Sequence, residues 1–504
     1  MPERPHLGES LQDEFACLTL NVTIPTGCQA GDKLPVMLWF HGGGFVFGTA
    51  NYSVLDGRGV SEISSQIGCP TVFVTCNYRL GWFGFLASDD IRADRESLDG
   101  GNGNQGLGDQ YNALKWVVKH IAAFGGDPDN ITIFGQSAGA ISVNMHAHLP
   151  HNHLFKRAIL MSGTVTTCGI YTEEQYHTLY LKLLRACGID INLPGPERLA
   201  ALRALPASKL LDVTDGVFGG ISLPQFALCD DESILGKGKK LPRPSSCVTG
   251  KLDWDGKLMI TDCKRKVLPH PKHPNLTSFA PVDEGIIYDR QFTISPSKLI
   301  SLISSHLPED MATETLRHYK IHPSLSKRDL YLVCESLITD VVFTGPAYYM
   351  ARAHPDAVVA HWDYHATLDN AWKGYAHHSM DYLFSWQGLN AVLNPKEREL
   401  GRVTAEDYIR FANNKGYPAR DERQELVCRV YNEEAEAALI SRASYTGRPV
   451  EWFERIEDHI DVFHELAFEI SMRRSELLSL EYGPGSGNEV VKDSSIDVTE
   501  GPPI

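Results

Sequence analysis

The chain predicts an α/β fold: a central, mostly parallel sheet flanked by helices, with a more helical C-terminal part. Three observations carry that reading. Continuous apolar runs such as Val36-Met37-Leu38-Trp39-Phe40 and Thr71-Val72-Phe73-Val74-Thr75 suit strands covered on both faces. Strand and helix signals alternate along the first half, as crossover connections between parallel strands require. The segment Gly135-Gln136-Ser137-Ala138-Gly139, directly after Ile131-Thr132-Ile133-Phe134, marks a sharp turn from a strand into a helix.

The Val36 to Phe40 strand ends in His41-Gly42-Gly43-Gly44-Phe45, and the Thr71 to Thr75 strand precedes Asn77-Tyr78-Arg79-Leu80-Gly81. A helix is expected over about 108–124, with Tyr111, Leu114, Val118 and Ile121 on one stripe, stopping at Gly125-Gly126-Asp127-Pro128. Ile131 to Phe134 is the next strand, Ala140-Ile141-Ser142-Val143 continues as helix, and Ala158-Ile159-Leu160-Met161 follows as a strand. Val358-Val359-Ala360-His361-Trp362 is the last strand expected. Within 451–480, Trp452, Ile456, Ile460, Phe463 and Ala467 recur at helical spacing and read as core. Residues 1–481 are expected to form one domain, and 482–504, opening with the Gly483-Pro484-Gly485-Ser486-Gly487 stretch, a disordered polar tail.

With 504 residues, 43% hydrophobic and 22% charged, the chain has ample length for a large core. A formal net charge of -16 argues against nucleic acid or an anionic membrane as partner. No apolar run is expected to span a bilayer, so no transmembrane anchor is expected. The opening residues lack a secretory core segment, which predicts a cytoplasmic protein, or a secreted one if the N-terminus is incomplete. Eleven scattered cysteines, with no C-x-x-C pair, read as buried free thiols rather than as a metal site.

A serine on such an elbow is held in a strained backbone conformation, and the glycines on either side leave room for close backbone approach. The turn opens a helix, so the N–H of Ala138 and the positive end of the helix dipole point toward any anion formed there. His41-Gly42-Gly43-Gly44, straight after a buried strand, can turn further backbone N–H groups inward. An acyl-transfer serine also needs a base to take its proton and an acid to orient that base.

At this point the chain resembles the type B carboxylesterase/lipase family, which includes cholinesterases, fungal esterases and lipases, and the non-catalytic neuroligins. The resemblance rests on Leu18 to Val22 after Cys17, the Gly42 to Phe45 loop, Asn77-Tyr78-Arg79 with Gly84-Phe85-Leu86, and Gly106-Leu107 through Asp109-Gln110 to Pro128. Ile131 to Gly139 and Ser162-Gly163 continue it. It implies an α/β-hydrolase fold and hydrolysis of carboxylic esters through an acyl-enzyme, with Ser137 as nucleophile, Glu284 of Asp283-Glu284-Gly285 as acid, and His378 as base. His377 is the alternative base. Gly43, Gly44 and Ala138 would form the oxyanion hole, and a small-molecule ester would be the substrate, with no metal or organic cofactor. The segment Ile338-Thr339-Asp340, with Phe343 and Pro346, resembles a further landmark of the family. The alternatives are a catalytically silent relative that binds or adheres, and a truncated, inactive esterase.

The chain departs from the family pattern in three places. The family usually has several tens of residues before the Cys17 segment, including a half-cystine that would pair with Cys17. Cys187 matches one half of a second family disulfide, but Ala201 stands where the other half would be. The stretch 265–282, with Pro269, Pro271, Pro274 and Pro281, separates the strand at 257–264 from Glu284 and reads as an inserted surface loop.

Overall fold

The structure, a computed structural model, describes residues 13, 15–94, 102–218, 225–231, 240–250, 252–264, 294–365, 367, 374 and 376–472. Glu284, the 265–282 stretch and the 482–504 tail therefore lie outside the described residues. Among the described residues, eleven strands run in the order β1 (Leu20–Thr23), β2 (Leu34–Phe40), β3 (Val72–Cys76), β4 (Gly126–Gln136), β5 (Arg157–Met161), β6 (Ile170–Tyr171), β7 (Leu228–Cys229), β8 (Lys257–Cys263), β9 (Val358–Trp362), β10 (Val427–Tyr431) and β11 (Ala437–Ser441). Nine of them form one sheet, β1-β3-β2-β4-β5-β8-β9-β10-β11; β6 and β7 pair separately. Every neighbouring pair from β3 through β10 is parallel, and only the two edge pairs, β1 with β3 and β10 with β11, are antiparallel.

The apolar runs are continuous because each strand feeds two cores. On β2, Val36, Leu38 and Phe40 pack into one cluster, while Met37 and Trp39 pack into another on the opposite face. β5 divides in the same way, Ala158 and Leu160 against Ile159 and Met161. The helices Gln105–His120 and Ala138–His148 contribute Leu107, Leu114, Val117, Ile141 and Met145 to the first face. The helices Arg58–Gln66 and Pro395–Ala412 contribute Val60, Ile63, Tyr408 and Ile409 to the second. There Trp386 stacks on Phe134 at 5.9 Å, and Trp39 meets both rings edge-on. Arg79, after β3, is tied to the helix Gln105–His120 by a two-pronged ion pair with the buried Asp109, at 2.7 and 2.8 Å.

Three sequence expectations need correction. Val358–Trp362 is not the last strand: β10 and β11 follow, a hairpin that extends the sheet past β9. The helix Gln105–His120 buries Gln110 and Val117 and leaves Tyr111 and Val118 only partly buried, so its inward face is turned from the expected stripe. The stretch Lys327–Ala353 is long and apolar enough to cross a membrane, but 78% of its most apolar window is buried within the fold, so its hydrophobicity is spent on the core. Cys69, Cys76, Cys168, Cys229, Cys263, Cys334 and Cys428 are buried, as expected, whereas Cys17, Cys28 and Cys187 are only partly buried.

The second layer rests on the Phe134 ring. Phe134→Ala should cost about 3–5 kcal/mol, read as a fall in the urea unfolding midpoint. A loss below about 1 kcal/mol would show that the Trp39–Phe134–Trp386 cluster does not hold that layer.

Candidate active site

β4 delivers Ser137 at its carboxyl end, where the chain turns into the helix Ala138–His148. Ser137 sits at φ 54° and ψ -121°, a conformation that a side-chain-bearing residue adopts only when its surroundings enforce it. The enforcement is steric. A Cβ on Gly139 would overlap the carbonyl oxygen of Phe40 on β2, and one on Gly135 would lie 2.6 Å from Gly139. The turn is also pinned from the other side: Ser137 N–H donates to the Met161 carbonyl at 2.9 Å, and a Cβ on Gly163 would lie 2.7 Å from the Ser137 carbonyl oxygen. Ala138, the first helical residue, has its N–H ahead of the first intrahelical hydrogen bond.

The glycine loop after β2 is shaped by left-handed backbone at Gly43 (φ 112°), Gly44 (φ 58°) and Phe45 (φ 62°). A Cβ on Gly43 would overlap the Phe47 carbonyl, and the Gly43 carbonyl accepts from the N–H of Val46 and Phe47, so this loop folds back on itself. His41 fills the space beneath. Its Nδ1–H donates to the Gly42 carbonyl at 2.8 Å, and its ring stacks on Tyr78, whose hydroxyl donates to the His41 carbonyl at 2.6 Å. His41 and Tyr78 stand in the two motifs noted above, but their pairing depends on a partner 37 positions away, which neither motif announces.

His378 is fully buried, and its Nε2 lies 2.9 Å from the side-chain nitrogen of Gln136, the residue just before Ser137. Phe343 presents its ring edge-to-face to the same imidazole at 5.4 Å. Phe343 belongs to a π-helical stretch, Thr339–Thr344, of the kind that often marks functional positions. The structure thus brings His378 beside Ser137's neighbour, while Ser137 Oγ makes no hydrogen bond with the described residues. His377 is engaged differently: its Nδ1–H donates to the His378 carbonyl at 2.7 Å, and burial lowers its pKa to about 4.

Asp381, three residues after His378, is an anchor. Its carboxylate accepts from Thr261 Oγ1 on β8 at 3.0 Å and from Ser162 Oγ after β5 at 3.5 Å. That ties the histidine segment to the ends of β5, which neighbours β4, and of β8, the next strand along the sheet. Beyond it, Arg448 bridges Asp262 and Asp363 at the ends of β8 and β9, and His361 Nδ1 meets Asp262 at 2.9 Å. Lys264 N–H still donates to the Trp362 carbonyl, so the β8–β9 pairing is kept to the last described residue before Glu284. Among the described residues, no group of three or more His, Cys, Asp or Glu is placed to hold a metal ion.

Two expected outcomes follow from this geometry. Gly139→Ala should destabilise the protein by about 1–3 kcal/mol, whereas Gly216→Ala, in a helix with nothing within 4 Å of the added carbon, should be neutral or stabilising. Equal effects on the denaturation midpoint would refute the steric account of the turn. The second concerns acid. Burial lowers His41, His377 and His148 from 6.5 to about 4, so each binds fewer protons folded than unfolded between those values. Their stabilisation is complete above pH 6.5 and is lost as pH falls through that window toward 4. Asp340, raised to about 7 by desolvation, and Asp407, also raised by burial, work the other way, but these two carboxyls are outnumbered by the lowered histidines, which also include His146, His151 and His318. The melting temperature should therefore fall from pH 7 to pH 5; a rise would overturn the assignment of neutral buried histidines.

The family model described as the carboxylesterase family matches residues 4–442. The chain is 30% identical to the secreted triacylglycerol lipase LIP1 of Gibberella zeae over 370 residues, which is 70% of this chain and 59% of that protein, so it spans less than two thirds of LIP1. It is 33% identical to Lipase 1 of Geotrichum candidum, over 79% of this chain and 69% of that one. Among solved structures it is similar to the Geobacillus stearothermophilus carboxylesterase EST55, with a TM-score of 0.65 and 26% identity, covering 87% of this chain and 85% of that one. It is likewise similar to a PNB esterase, with a TM-score of 0.63 and 25% identity over 85% of this chain and 83% of the other. With its parallel sheet, its serine turn and a match that runs through most of its length, the chain belongs to the carboxylesterase family and has the α/β-hydrolase fold.

Proposed function

We propose that the protein hydrolyses carboxylic esters through an acyl-enzyme intermediate, with Ser137 as nucleophile, His378 as base and Glu284 as the acid that orients it. The observation that carries this reading is the turn at Ser137, a backbone strain maintained by glycine contacts on both sides and placed beside a buried imidazole. Strain of this kind costs roughly 1–3 kcal/mol and persists at sites where it serves function, such as the placing of a nucleophile. Membership of the carboxylesterase family supports the same chemistry, and the name of LIP1, a triacylglycerol lipase, points to acylglycerol-like esters as the first substrates to try.

In this mechanism Ser137 Oγ attacks the ester carbonyl carbon while His378 Nε2 takes its proton. The carbonyl oxygen becomes an oxyanion facing the amides of Gly43, Gly44 and Ala138, with the dipole of the helix Ala138–His148 behind it. Collapse breaks the bond to the alkoxide, which leaves as alcohol with the proton from Nε2. Water then attacks the acyl-enzyme, gives its proton to Nε2, and the acid is released as Ser137 regains its proton. Nε2 faces Gln136 in the resting site, so the ring must turn from that amide to the serine before the first transfer; catalytic hydrogen bonds often tighten only once substrate is bound.

Full-length protein should release p-nitrophenol from short-chain p-nitrophenyl esters and take up a fluorophosphonate label. Ser137→Ala should abolish the label and lower kcat at least about 10,000-fold. A label retained in Ser137→Ala, or no turnover of any carboxylic ester by the unaltered chain, would refute the proposal.

A further inference from the structure

The residue between Gly135 and Ser137 sits at the site yet has no part in the mechanism above. Gln136 is the last residue of β4 and is fully buried, and its side-chain nitrogen is 2.9 Å from His378 Nε2. An amide nitrogen can only donate, so the imidazole nitrogen facing it must accept, and the ring's single proton then belongs on Nδ1. That is the tautomer a general base needs, with a lone pair on Nε2 and an N–H on the far side for a carboxylate. The ring is held in that pose from a second direction by the edge-to-face contact with Phe343.

We propose that Gln136 is a positioning residue: in the resting site its amide keeps His378 neutral, in the Nδ1–H tautomer, and yields Nε2 to Ser137 when the ring turns. This rests on the esterase reading only for the hand-over step; the resting contact stands on its own geometry. The neutrality of the side chain is the point. A hydrogen bond to the lone pair favours the unprotonated imidazole, whereas a carboxylate at the same place would favour the imidazolium, which cannot act as a base. Among the described residues, the other titratable groups on the elements that His378 and Asp381 meet by hydrogen bond or ring contact are His377, Asp381 and Tyr382 on their own segment, Asp127 and Asp129 on β4, Lys257, Asp262 and Cys263 on β8, and Asp340 on the π-helical stretch carrying Phe343. Glu284 lies outside the described residues. All of these stay the same when position 136 alone is changed, so a difference between variants reports that position.

The test is a titration of His378 in full-length protein labelled with 13C at histidine Cε1, its resonance identified by its loss in His378→Asn. Wild type, Gln136→Met and Gln136→Glu are compared, and the acid limb of kcat/KM for a p-nitrophenyl ester is recorded for each. The midpoint should rise in Gln136→Met, which removes the donor and leaves no new buried polar atom. It should rise further in Gln136→Glu, by about 1–3 pH units, with the kinetic limb moving in step. Should Gln136→Glu fail to fold, Gln136→Met decides alone. Identical midpoints overturn the proposal, and so does a uniform loss of turnover at every pH with the midpoints fixed, which would make Gln136 a packing residue. A lower midpoint in Gln136→Met would show the amide oxygen, not the nitrogen, facing the ring, and also overturns it. If the midpoints move in the expected order but no ester is hydrolysed, the esterase reading fails while the positioning contact holds.

Discussion

Backbone meets backbone at the carboxyl end of β4, and the rest of the site is arranged around that contact. The chain can leave β4 and enter the helix Ala138–His148 within one residue only because Gly139 passes against the Phe40 carbonyl and Gly135 against Gly139. No hydrogen bond or charge could substitute for the missing side chains, since the space is already filled by atoms of β2. Ser137 takes up the remaining curvature as a positive φ, and the neighbouring strand holds it there through the Met161 carbonyl. The position of the hydroxyl is therefore a property of the sheet, set by the β2–β4–β5 register, and not of a flexible loop.

Much of this was legible in the residues. The two-faced burial of β2, β3 and β5 follows from apolar runs without alternation, and the glycines of the elbow announce a close approach wherever they follow such a run. What escaped the sequence was whatever depended on a distant partner. Gln136 occupies a position where any residue satisfies the motif, and its meaning comes from an imidazole 242 positions later. Asp381 reads as an acid near a histidine, and only the fold shows its carboxylate accepting from Thr261 and Ser162. β10 was missed because Val427-Cys428-Arg429-Val430-Tyr431 is short and interrupted by charge. It is a strand because Arg429 finds Asp407 on the helix Pro395–Ala412 and its backbone finds β9.

Local rules also hold inside larger elements. Gly125-Gly126-Asp127-Pro128 does break the helix before it, as its residues require. Yet β4 begins at Gly126, which pairs with Leu34 before the register shifts and resumes at Val36 and Ile131. The turn-forming residues are accommodated as an irregularity between two paired stretches, which keeps the proline away from any ladder hydrogen bond it cannot make.

Trp386 closes the short helix Met380–Ser385, which follows directly from the His378 segment, and its ring lies flat on Phe134, two residues before Gln136. The histidine segment and the serine strand therefore share one aromatic floor. Neither can breathe away from the other without exposing the Trp39 and Phe134 rings to water, at a cost comparable to opening the core itself. The two halves of the site belong to one cooperative unit, so thermal inactivation of this protein would track the melting of its core and not an earlier, local fraying of the site.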